Sequence, residues 1–148
     1  MKMLKIILKY IQYYFRAKTR QGIHSPFVFD LVENVFRKGI TADVLRIEFL
    51  RQELHKCKDV FETIDCGAGS VYKPKKVSVK RVVRYSAVSK KMGLMYYHLV
   101  QKTQANTILE IGTSMGFSTM YLGFANPFST IYTLEGCPAT AKLAKNHF

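Results

Sequence analysis

Residues 107–119, TILEIGTSMGFST, decide how the rest of this chain is read. Thr107, Ile108, Leu109, Glu110 and Ile111 make a short apolar, β-branched run of the kind that forms a buried strand. Gly112 breaks the run, and Gly116 follows where a helical pattern of Phe117, Met120, Tyr121 and Phe124 begins. A second β-branched run, TIYTL at 130–134, ends on Glu135, 23 positions after Gly112. Strand, glycine turn, helix, strand and terminal acid is the layout of a nucleoside-binding α/β half-unit. Glycine lets the backbone approach a ligand with no Cβ in the way, and an acid at the second strand's tip can accept ribose hydroxyl protons. The two strands are expected to be parallel neighbours, joined by a right-handed crossover through a helix at about 117–125.

Glycine spacing narrows the choice of nucleoside. The dinucleotide fingerprint places glycine two and five positions after the first, where this chain has Ser114 and Phe117. A phosphate loop places Lys after the second glycine, and here Phe117 stands there. LEIGTSMGFST instead resembles the first motif of the class I, Rossmann-like S-adenosyl-L-methionine-dependent methyltransferases, and is closest to the small O-methyltransferase form L-E-I-G-T-x-x-G-x-S. Lys91, Met92, Gly93, Leu94 and Met95 resemble the helix that leads into the first strand of those enzymes. Thr133 to Pro138, followed by Ala141 and Ala144, resemble their second strand and helix. The likeness covers roughly 86–148.

It implies an α/β Rossmann-like parallel sheet and S-adenosyl-L-methionine as cofactor. Gly112 and Gly116 would shape the turn against methionine and ribose, and Glu110 would hold the amino group. Thr113 and Ser118 would offer donors to the carboxylate, and Glu135 would hold the ribose hydroxyls. The later strands of the family carry the adenine-contacting acid, any metal-binding carboxylates and the general base. This chain stops at Phe148 before them, so it is expected to be an incomplete piece that is inactive alone; no catalytic residue and no metal ligand is assigned. A nicotinamide-dependent oxidoreductase domain is the alternative, disfavoured by the missing second glycine. A non-enzymatic basic nucleic-acid-binding module is the other.

Charge divides the chain. It carries a net +13 over 148 residues, yet residues 105–148 hold two bases and two acids. The whole excess therefore lies in 1–104. Between Asp65 and Glu110 no acid occurs, while nine bases do, with Tyr72, Tyr85, Tyr96 and Tyr97 interleaved. Such a stretch can steer a small anionic substrate or bind a nucleic-acid backbone. A solvated face is the plainer reading, since no RNA-binding motif accompanies it. Cys57, Cys66 and Cys137 are odd in number, far apart and without a CxxC pair, which suits a reducing cytoplasm and argues against a disulfide framework or a zinc site.

Three regions are expected: a helical N-terminal extension over 1–62, a basic Gly/Lys-rich loop over 63–84, and a partial cofactor-binding domain over 85–148. Within the first, residues 1–16 make one amphipathic helix with a narrow stripe of Lys2, Lys5, Lys9, Gln12 and Arg16. It lacks the uninterrupted apolar run and cleavage site of a signal peptide, and is too short to span a bilayer. Burial against its own domain is the favoured reading, with a peripheral membrane contact or a homodimer contact as alternatives. Ser25 and Pro26 start a second helix with Phe27, Leu31, Val35 and Phe36 as its buried face, and Thr41 caps a third. Asp65 and Ser70, in the glycine-rich stretch before Lys73, are candidate polar contacts of a lid, with a plain flexible loop as the alternative.

Overall fold

The computed structural model describes residues 2–17, 22–64 and 76–147, and the chain is a mixed α/β protein. It divides into two compact units, Met1–Arg37 and Lys38–Phe148. The candidate lid residues Asp65 and Ser70 lie outside the described residues.

The first unit holds α1 (Lys2–Arg16) and α2 (Pro26–Leu31), the latter running on as a π-helical turn over Val32–Phe36. Ser25 caps α2 as expected, its hydroxyl accepting from the Val28 N–H at 3.3 Å, with Pro26 in the first helical position. The anticipated buried face of that segment is only partly realised: Val35 is buried, but Phe27 and Phe36 are exposed. The wider π turn rotates the residues after Leu31 off the 3.6-residue period on which that face was drawn. Burial of α1 is not realised either. The least exposed of its apolar side chains, Ile11, is still 44% exposed.

The second unit begins with α3 (Ala42–Lys56), capped by Thr41, whose hydroxyl accepts from Val44 N–H at 3.4 Å. A small antiparallel pair follows, β1 (Val60–Glu62) with β2 (Lys76–Ser78), in the register Phe61 opposite Val77. Then come α4 (Val79–Tyr85) and α5 (Lys90–Thr103), each started by a serine cap, Ser78 and Ser89. A helix at 79–85 replaces the end of the expected loop. Its two buried residues, Val79 and Val83, lie four apart on one face, so packing holds seven residues that are too few to be helical alone.

The last four elements follow the expected order of strand, helix, strand and helix, with the two strands parallel. Strand β3 (Thr107–Ile111) pairs in parallel with β4 (Thr130–Leu134), with Glu110 opposite Thr133, and α6 (Phe117–Ala125) connects them. Helix α7 (Pro138–Lys145) follows with Pro138 in its first turn. The core is mainly helical. Val44 and Ile47 of α3, Val79 and Val83 of α4 and Tyr97 of α5 close on Met115, Phe117, Met120 and Tyr121.

The two parallel strands are not the buried strands their composition implies. Ile108, Glu110, Ile131 and Thr133 are half-buried on the face that α6 shares, while Leu109, Ile111, Tyr132 and Leu134 on the other face are exposed. Parallel sheets are ordinarily covered on both faces. Among the described residues only one layer of helices does so here.

Candidate functional site

The turn after β3 holds Gly112 and Gly116, and its backbone is unusual. Gly112 has φ +97° and Gly116 φ +79°, the left-handed region that glycine enters without a Cβ penalty. Ser114 between them also has positive φ, at +49°. The turn is tied to the second strand. The N–H groups of Gly112 and Thr113 both donate to the Leu134 carbonyl, at 2.8 and 3.2 Å, and Gly116 N–H closes back on Thr113 O at 2.9 Å.

Gly116 is the residue that begins α6, and it gives no side-chain cap. The helices α2 to α5 all start from a Ser or Thr hydroxyl that accepts a backbone N–H. The first-turn N–H groups of α6, at Phe117 and Ser118, have no partner within the helix. They stand at the positive end of its dipole.

Beside this turn lies an open cleft of about 490 Å³. One wall is β3 and the turn, including Ile108, Glu110, Gly112 and Thr113. The other comes from Ser86, Ala87 and Val88 between α4 and α5, with Tyr96 of α5; Phe117, Ser118 and Leu122 of α6 also line it. Four of the six residues singled out from sequence therefore share the cleft: Glu110, Gly112, Thr113 and Ser118. Gly116 is buried and does not line the cleft.

Glu110 is anchored through one oxygen. Its Oε2 accepts the hydroxyls of Thr119 on α6 and of Thr133 on β4, the latter at 2.6 Å. The Thr133 oxygen is itself 2.6 Å from the Thr113 hydroxyl. A hydroxyl has a single proton, and that of Thr133 goes to the carboxylate, so Thr113 donates in this pair. Turn, both strands and α6 are thus joined by one chain of hydroxyls ending on a carboxylate. Thr113 is committed to it through both its side chain and its N–H. The other oxygen of Glu110, Oε1, has no partner among the described residues.

Glu135 serves the turn from the far side. Its Oε2 accepts Ser114 N–H at 2.7 Å and its Oε1 accepts Cys137 N–H at 2.9 Å. It does not line the cleft, although each oxygen keeps a second lone pair. The acid at the strand tip therefore holds Ser114 in its left-handed conformation and starts α7. Cys137, next to it, is buried and takes the Ile64 N–H on its sulfur at 3.5 Å. Burial alone would push that thiol up. The Thr140 hydroxyl and the N–H groups of Ile64, Thr140 and Ala139 outweigh it and hold the thiol below its usual value.

Three supporting residues were not singled out from sequence. Thr133 matters because the strand register sets it opposite Glu110, and Thr119 because α6 brings its hydroxyl to the same carboxylate. Arg51, on α3, donates to the Val88 carbonyl at 2.8 Å, pairs with Glu48 at 3.0 Å and lies 4.2 Å over the Phe117 ring. It braces both sides of the cleft across a sequence separation that no local pattern reveals.

The chain matches no protein-family model, no curated protein and no solved structure.

Proposed function

We propose that this chain carries the cofactor-binding part of an S-adenosyl-L-methionine-dependent methyltransferase, O-methyltransferase-like, with a Rossmann-like arrangement around its parallel strand pair. One observation carries the reading. The cleft gathers Glu110, Gly112, Thr113 and Ser118 beside an uncapped helix start, at a turn that needs two glycines.

The donor set fits the two ends of such a cofactor. Glu110 Oε1, which has no partner among the described residues, suits an ammonium group. The first-turn N–H groups of α6 and the Ser118 hydroxyl suit a carboxylate, which the helix dipole also favours. Ile108, Val88, Phe117 and Leu122 give apolar walls of the kind that take a flat ring, and the volume lies within the usual range for small-molecule sites. When bound, the cofactor supplies a methyl group made electrophilic by its sulfonium. The residues of this chain orient it, so that an acceptor's nucleophile meets the methyl in line, which is a gain from positioning.

The acceptor is proposed to be anionic. Arg84, Lys90 and Lys91 are exposed on either side of the Ser86–Ala87–Val88 wall, and no acid lies between them in sequence. Their field raises the local concentration of negatively charged small molecules.

The test is a titration of the isotope-labelled chain followed by amide NMR. S-Adenosylmethionine should shift the Gly112, Thr113, Gly116 and Ser118 signals, and a nicotinamide dinucleotide should neither do so nor compete. Shifts by the dinucleotide instead, or by neither, would overturn the assignment.

A further inference from the structure

We propose that α1 docks this protein on the surface of an anionic phospholipid bilayer, independently of the cleft. Along an α-helix successive residues advance by roughly 100°, so Lys2, Lys5, Lys9, Gln12 and Arg16 fall within an arc of roughly 80°. Every other position of the helix is apolar or tyrosine, and those side chains, from Met3 to Phe15, are all exposed. The result is a broad uncovered apolar face along one basic stripe.

Charge points to the occupant. Residues 1–29 contain six bases and not one acid. An anionic headgroup layer attracts such a segment, while the acyl boundary takes its apolar face. Tyr10, Tyr13 and Tyr14 carry rings with a polar tip, the type enriched at membrane–water interfaces. A second copy fits less well. One partner helix covers an apolar stripe of roughly 100°, much less than α1 exposes. The helix lies on the bilayer and does not cross it. Its 15 residues extend about 22 Å against a hydrocarbon core of about 30 Å. No helix among the described residues is long and apolar enough to span.

The experiment is vesicle flotation of the whole chain, with phosphatidylcholine vesicles and with vesicles of phosphatidylcholine mixed with phosphatidylserine. The protein should float with the mixed vesicles only, and salt should release it. Lys5→Glu with Lys9→Glu should lower the partition by at least about tenfold. Ile7→Asp with Ile11→Asp should abolish it, while Lys142→Glu with Lys145→Glu, reversing exposed bases on α7, should leave it within about twofold. All these positions are at least partly exposed, and thermal melts of the variants should match the parent. Equal flotation with both vesicle types, flotation with neither, or equal losses in the α1 and α7 variants would overturn the proposal. So would a concentration-dependent dimer that Ile7→Asp disperses in a protein that ignores vesicles, because α1 would then be a contact between copies.

Discussion

Gly93 of α5 faces the ring of Tyr121 on α6 so closely that a methyl group built on it would overlap the ring carbons. Tyr121 is wholly buried and cannot turn aside, so the helices meet at this distance only because position 93 has no side chain.

Gly93→Ala should therefore destabilise the second unit by about 1–3 kcal/mol, the usual cost of overpacking, despite alanine's better helix propensity. Gly123→Ala is the matched control. A Cβ there would meet only Ile131 Cδ1 at 3.5 Å, an ordinary contact, so the propensity gain should leave the variant neutral or slightly more stable. Urea denaturation of both variants checks the pair. Equal effects would mean that helix propensity, and not the Tyr121 contact, sets the outcome.

Tyr121 should also give the fold an alkaline limit. Burial first, and then the Glu48 carboxylate accepting its hydroxyl at 2.6 Å, push the phenol well above its usual value, with Arg51 pulling the other way. The folded chain thus holds this proton more tightly than the unfolded chain does. The stabilisation is complete below the unfolded value of about 10 and is lost as pH rises beyond it. Tyr121→Phe should cost about 1.5–3 kcal/mol near neutrality, for a hydrogen bond to a charged group. Its stability should then decline less than the parent's between about pH 9 and pH 11. Parallel declines would show that other groups govern the alkaline loss.

The hydroxyl chain ending on Glu110 should behave as a unit. Thr133→Val removes the donor to Oε2 and strands the Thr113 hydroxyl, and Glu110→Gln removes the charge that both threonines serve. Each should cost about 1–3 kcal/mol. The double variant should cost less than the sum by about 0.5 kcal/mol or more, since the partners share one network. Strict additivity in denaturant unfolding would separate the two residues.

The half-unit at 107–134 was legible because its signals are local. β-branched runs, the glycines at 112 and 116 and the helical spacing of Phe117, Met120 and Tyr121 give element boundaries with no knowledge of the rest of the chain. The caps at Ser25 and Thr41 were legible for the same reason. Long-range contacts were not. Helix α4 forms where a loop was expected, because Val79 and Val83 find a core whose other members are 14 to 42 residues away. The exposure of Leu109 and Tyr132 depends on how many layers flank the sheet, which their β-branched surroundings do not encode. Of the site, the residue types of the turn were readable, but their division of labour was not. Thr113 is spent on Thr133, and Glu135 on two N–H groups, through pairings that exist only once β3 and β4 are in register.

That division of labour can be tested at Glu135, which has two candidate roles on one carboxylate. It braces the turn through the N–H groups of Ser114 and Cys137, and its remaining lone pairs can accept ribose hydroxyls. Glu135→Ala should weaken S-adenosylmethionine binding by about 1.5–3 kcal/mol per hydrogen bond to the charged group, roughly tenfold or more in affinity. That loss alone does not distinguish the roles, because a collapsed turn and a missing ribose contact both reduce affinity. Comparing S-adenosylmethionine with its 2′-deoxyribose analogue does. Where the carboxylate holds the ribose, the parent should discriminate against the analogue and Glu135→Ala should not. Where it only braces the turn, parent and variant should discriminate equally, and the Ser114 amide signal should move in the variant before any ligand is added. Calorimetry of the two ligands on the two proteins, with the amide spectrum of each free chain, separates these outcomes. Unchanged affinity for both ligands in Glu135→Ala would remove Glu135 from the cofactor site altogether.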